Sequence, residues 1–237
     1  MHALPIEQLS IGSIEKAIAR KKAVYPDHEI IFRGQSKPWP LLPGIARNND
    51  KGDTTFKEKE MLSALKHSAP IHISKVGPLP ANDWEWIIFA QHFGMKTRLL
   101  DWSADLWSSL WFACIDDPGS DGVLYGHFIK ESSYLDVGSL GPFDIEGTRF
   151  LIPRVTNRRI ENLSSRFSVH PYNFKECQHI PIEGNHDLHT KTIKILVPAS
   201  KKQALLGELD GKGINYIKVM ADASGVCKHI NWKHLPQ

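Results

Sequence analysis

The segment that most constrains the fold is Val123-Leu124-Tyr125-Gly126-His127-Phe128-Ile129, a short and almost wholly apolar run entered through the turn formers Asp116-Asp117-Pro118-Gly119. A run this short, bounded by a turn, reads as a core strand rather than a helix. Leu106 to Cys114, just before that turn, is strongly apolar and reads as a buried helix opened by a polar stretch at Asp101 to Asp105. A second strand, Glu29 to Phe32, ends at Arg33-Gly34.

Around these lie helices of ordinary amphipathic spacing. Ser13 caps a helix through Ile14, Ala17, Ile18 and Ala19 that Tyr25-Pro26-Asp27 breaks, and Lys57 to Ala69 forms another with Met61, Leu62, Leu65 and Ala69 as its stripe. Asn82 or Asp83 caps a third helix through Trp84, Ile87, Ile88 and Gln91, ending near Gly94. Between Ser36 and Arg47 the prolines 38, 40 and 43 predict an extended loop carrying Trp39. Lys191 to Val197 alternates as a strand, Ser200 caps a helix to Leu209, and Gly211 to Gly213 turns into a strand at Ile214 to Val219. Together these predict one α+β domain over residues 1–237, an N-terminal helical segment 1–28 and a core 29–237, with a mixed, mainly antiparallel sheet flanked by helices.

Composition excludes some classes. With 41% hydrophobic and 23% charged residues the chain can bury a core, and no apolar run approaches the roughly 18 residues a membrane helix needs. No N-terminal leader pattern is present, and Cys114, Cys177 and Cys227 form no Cys-x-x-Cys pair, so free thiols in a cytoplasmic protein are expected. Residues 1–150 carry 16 Lys+Arg against 19 Asp+Glu, whereas residues 151–237 carry 13 against 7. That asymmetry suits an anionic partner such as nucleic acid or a phosphorylated ligand, and equally an ordinary solvated surface.

Two polar clusters stand out. Arg33 closes an apolar strand beside Gly34, whose missing Cβ lets a ligand approach, and its guanidinium is shaped to grip a phosphate or carboxylate in two places. Gln91-His92-Phe93-Gly94-Met95-Lys96-Thr97-Arg98-Leu99-Leu100-Asp101-Trp102-Ser103 packs a helix end, a glycine turn and many hydrogen-bonding groups together. There His92 is a candidate proton carrier and Arg98 with Asp101 a candidate buried pair; the alternative has His92 and Asp101 capping helices. Trp84 with Ile88, and Trp107 with Trp111, have core spacing, while Trp39 is placed to stack on a ligand ring. Cys177, His179, His186 and His189 match no metal-ligand spacing, and no phosphate-loop, dinucleotide-binding, serine-hydrolase or zinc-protease signature occurs.

Phe32-Arg33-Gly34-Gln35, Leu42-Pro43-Gly44-Ile45-Ala46-Arg47 and the block Gln91 to Ser103 resemble the FRG domain family, with further agreement at Asn157 to Phe167 and Asp222 to Val226. The chain departs from that pattern at Leu163 and Ser165, where relatives carry glutamine and glycine. Through this family the Phe-Arg-Gly strand is remotely similar to the first motif of ADP-ribosyltransferases. The resemblance implies an ADP-ribosyltransferase-like fold and NAD as co-substrate. It makes Arg33 the NAD clamp and Glu161 the catalytic carboxylate, with His92 beside them. Gly34, Gln35, Trp39, Arg47, Gln91, Thr97, Arg98, Asp101 and Ser103 become cofactor-binding candidates, and Trp39 or Phe93 stacks on nicotinamide. It also implies a macromolecular acceptor, nucleic acid among them, an antitoxin or other partner protein, and a toxin or antiphage-defence role. No metal is expected. A non-catalytic module that binds a nucleotide or phosphorylated ligand is the other reading.

Overall fold

The computed structural model describes residues 9–48, 51–73, 79–154 and 164–235. Helix α1 (Ile11–Lys22) starts at Ser10, not Ser13. Ser10 is the N-cap, and Ser13, three positions on, returns the bond as the other half of a capping box. Strand β1 (Glu29–Gln35) runs past Arg33 and Gly34, because both still pair with the strand Gly122–Ile129. Helices α2 (Thr55–Ser68), α3 (Pro70–Ile73) and α4 (Asp83–His92) follow, α4 capped by Asn82. The stretch expected to be a polar opening is instead mostly strand β2 (Leu99–Ser103); Asp105, not Asp101, caps α5 (Leu106–Cys114). Its partners explain this: β5 (Ser165–Val169) pairs with all five residues of β2.

β3 (Gly122–Ile129), β4 (Arg149–Leu151) and β6 (Thr192–Val197) complete the sheet. The order is β4-β5-β2-β1-β3-β6, and every strand pair is antiparallel. The helix after β6 spans Ala199–Gly211 behind Pro198, with Ser200 inside it rather than at its cap. The expected strand at Ile214 to Val219 is a helix, Tyr216–Met220: Asn215 accepts from the amides of Ile217 and Lys218 and starts it. Helix Ala223–His234 ends the described chain, and among the described residues no helix is long and apolar enough to cross a membrane.

The sheet is not uniformly knit. β1 and β3 pair over seven residues and β3 and β6 over six, but β1 and β2 share one register pair, Phe32 with Ser103. The sheet therefore consists of two well-paired halves, β4-β5-β2 and β1-β3-β6, joined at a loose seam. Over the second half α1 and α5 bury Ile14, Ile18, Leu110 and Trp111 against Phe32 and Leu124; over the first, α4 buries Trp84, Ile87 and Ile88 against Leu99 and Phe167. Trp107 is partly buried against the first of these clusters, so Trp107 with Trp111 and Trp84 with Ile88 are packing, as their spacing predicts. The opposite face is closed by Leu41 and Ile182 over Ile31, Leu100, Trp102 and Tyr125.

Glycine decides how close α5 comes. A Cβ on Gly34 would collide with the Ser109 carbonyl oxygen and stand 2.6 Å from the Ala113 nitrogen, and one on Gly122 would collide with the Ala113 carbonyl. Gly34 thus makes room for a helix backbone. Lys202, almost fully buried, ties this region together by donating to the carbonyls of Ser36, Asp116 and Asp117 at 2.9–3.0 Å.

Candidate functional site

A cleft of about 280 Å³ opens over the seam, between α4 and α5. Phe32, Arg33 and Gly34 of β1 and Asp101, Trp102 and Ser103 of β2 form its floor; Gln91 and His92 of α4, Ser109 and Phe112 of α5, and Ser165 and Phe167 of β5 form its walls. Two segments more than fifty residues apart in sequence thus meet at one site.

Because β1 and β2 part after their single register pair, the Arg33 side chain occupies the gap. Its Nη1 donates to the Asp101 carbonyl at 2.7 Å, and its Nε donates to Gln35 Oε1 at 3.2 Å. Gln35 in turn donates from Nε2 to the Trp39 carbonyl at 2.7 Å. The Asp101 carboxylate lies 3.8 Å from Nη1 and is itself half exposed. Burial and the Arg47 charge pull the Arg33 guanidinium down, while Asp101 supports it; the outcome is about 10, so it stays a cation at neutral pH.

Behind Asp101 the chain of contacts continues. Gln91 Nε2 donates to Asp101 Oδ2 at 3.0 Å, and Gln91 Oε1 accepts from Thr97 Oγ1 at 2.7 Å. Thr97 is fully buried. The two sequence motifs are thereby one network running from Thr97 through Gln91, Asp101, Arg33 and Gln35 to the backbone of the proline-rich loop.

Several expected site residues fall elsewhere. Arg98 does not pair with Asp101: successive strand residues point to alternate faces, and Arg98, just before β2, turns inward to Glu58 of α2. Glu58 accepts from the Arg98 backbone N–H and from its Nε, each at 2.7 Å, with both side chains buried. Gln35, Trp39, Arg47 and Thr97 do not line the cleft. Trp39 is exposed, with Lys37 Nζ 5.8 Å from its ring, and Arg47 Nε donates to the Leu42 carbonyl at 3.4 Å. His92 stands on the wall with its ring edge-on to Phe93, 4.9 Å between centroids. Glu161 and Leu163 lie outside the described residues.

Among the described residues no group of three His, Cys, Asp or Glu is placed to hold a metal. His179 is buried against Thr54 Oγ1 at 3.1 Å, while His186 and His189 are exposed.

The sequence reading missed the cleft's Ser109, Phe112, Ser165 and Phe167. The serines at 108 and 109 in an otherwise apolar helix were the available signal: Ser108 Oγ donates to Asp105 at 2.6 Å, whereas Ser109 faces the cleft. No curated protein and no solved structure matches the chain. The family model of the FRG domain matches residues 28–121, the stretch from the start of β1 through Arg33, Gln91 and Asp101 to the end of the α5–β3 turn. Arg33 on one side of the seam and Gln91 to Asp101 on the other both lie within the stretch that matches the FRG domain.

Proposed function

We propose that the seam cleft binds NAD and that the protein is an ADP-ribosyltransferase-like enzyme acting on a macromolecular acceptor. The observation that carries this reading is Arg33, a guanidinium fixed on two edges inside a split sheet with a carboxylate 3.8 Å away. A cation held this way meets an oxyanion without first losing side-chain entropy. Ligand pockets generally measure about 300–1,000 Å³, so a cleft of 280 Å³ takes one nucleotide half and leaves the other on its rim. Arg47, whose charge acts on Arg33, is available for a second phosphate.

In the reaction the bond between ribose C1′ and nicotinamide breaks, the electron pair leaving with neutral nicotinamide, and the acceptor nucleophile bonds to C1′ as its proton departs. Oxocarbenium character at C1′ calls for a nearby carboxylate. Among the described residues Asp101 is the carboxylate that lines the cleft, and it joins Glu161 as a candidate for that role. The basic character of residues 151–237 favours nucleic acid as the acceptor.

Incubation with labelled NAD and separate pools of DNA, RNA and protein tests this. Nicotinamide release with label in the nucleic-acid pool is expected; no release, with wild type and Arg33→Ala alike, overturns it. The ties of Asp101 to Gln91 and Arg33 favour a second reading, a nucleotide-binding module without turnover. Ligand at 100 times its dissociation constant stabilises by about 2.7 kcal/mol, so a thermal-shift series with NAD and ADP-ribose separates the two: stabilisation without nicotinamide release supports the module.

A further inference from the structure

Gln91 lines the cleft, yet both of its amide hydrogens are committed to the protein. One Nε2 hydrogen goes to Asp101 Oδ2 at 3.0 Å and the other to the Leu99 carbonyl at 3.4 Å, while Oε1 accepts from Thr97 at 2.7 Å. Thr97 Oγ1 already accepts the Leu99 backbone N–H at 3.1 Å, and a hydroxyl has a single hydrogen to give. The Asp101 carboxylate can only accept, so the amide nitrogen faces it, and the amide oxygen on the other side takes the Thr97 hydroxyl hydrogen. Turning the amide over would set its oxygen against a carboxylate oxygen and leave the Thr97 hydroxyl hydrogen buried with no acceptor, two costs at once.

The geometry points to Gln91 and Thr97 as positioning residues: Thr97 fixes the amide, the amide holds Asp101 Oδ2, and Asp101 Oδ1, which has no hydrogen bond among the described residues, is left for the ligand. Gln35 does the converse for the cation. Its nitrogen is committed to the Trp39 carbonyl, so its oxygen faces Arg33 Nε. Two glutamines of opposite polarity thus flank an ion pair of 3.8 Å, too long for a direct hydrogen bond between Nη1 and Oδ2 and open to a ligand that bonds to both. The kinetic part of this assignment rests on the enzymic reading above; the orientation of the amide does not.

The test compares Thr97→Val, which keeps shape and removes the hydroxyl, with Thr97→Ser, which restores it, and with Gln91→Met. In ¹⁵N-labelled protein the Gln91 side-chain amide protons should be well separated in wild type and Thr97→Ser and should collapse towards solvent-like values in Thr97→Val. With NAD as substrate, Thr97→Val and Gln91→Met should lower kcat about tenfold with KM nearly unchanged, and Thr97→Ser should recover it. An unchanged Gln91 amide signal in a folded Thr97→Val protein overturns the positioning role. A collapsed signal with no turnover even in wild type supports the positioning role and removes only the enzymic reading.

Discussion

Glu58 of α2 holds Arg98 from two directions, accepting the backbone N–H and the Nε of the same residue at 2.7 Å each, with side-chain exposures of 0% and 2%. Arg98 adds a bond from Nη1 to the Pro142 carbonyl at 3.3 Å and lies over the Phe143 ring. This pair anchors the strand that carries Asp101. Removing one partner of a buried pair strands the other's charge, which typically costs about 3–5 kcal/mol. Arg98→Met should lose that much stability in urea denaturation, and the double variant with Glu58→Gln should recover part of it.

Two glycines should respond to alanine with opposite sign. Gly34→Ala places a methyl against the backbone of α5, which cannot yield as a side chain would, so a loss at or above the upper end of the ~1–3 kcal/mol seen for overpacking is expected. Gly12, in α1, has nothing within 4 Å of its Cβ position, and Gly12→Ala should be neutral or stabilising by up to ~1 kcal/mol. Melting temperatures of the two variants check the contrast.

Acid should weaken the fold before its carboxylates titrate. Burial pushes the His127 and His170 imidazoles down to about 3 from the ordinary 6.5. Below 6.5 the unfolded chain takes up protons that the folded one refuses, so their contribution is intact above pH 6.5 and is lost progressively as pH falls towards 3. Each should make stability fall with acidification across that window. Urea midpoints measured between pH 7 and 5 should fall with acidification, and a flat profile would contradict the burial of these rings.

Arg33→Lys keeps a charge but loses the fork. A single ammonium cannot reach Gln35 Oε1 and the Asp101 carbonyl in the same geometry, so the cation should swing and any nucleotide-induced thermal shift should shrink. A tenfold or greater loss of NAD or ADP-ribose affinity is expected; undiminished stabilisation by these ligands would separate their binding from Arg33.

Much of this protein was legible in one dimension. The apolar run at Leu106 to Cys114 is a buried helix because only a core accepts it, and Val123 to Ile129 is a fully buried strand for the same reason. Asn82 and Gly94 mark the ends of α4 through capping chemistry and a positive φ that glycine adopts readily. Where local signals were ambiguous the reading failed: Ile214 to Val219 looks like a strand, but Asn215 supplies a helix cap, and Leu99 to Ser103 becomes a strand because β5 pairs with it.

The sequence by itself determined which residue types were present for chemistry: an arginine closing an apolar strand, and a dense polar block carrying Gln91, Thr97 and Asp101. It did not decide their partners. Arg98 lies three residues from Asp101, yet strand alternation turns it inward to Glu58, forty residues away in sequence. Arg33 meets Asp101 only because β1 and β2 pair at a single point and leave a gap that a guanidinium fills. Register and strand separation depend on contacts across the whole sheet, so that meeting belongs to the tertiary structure alone.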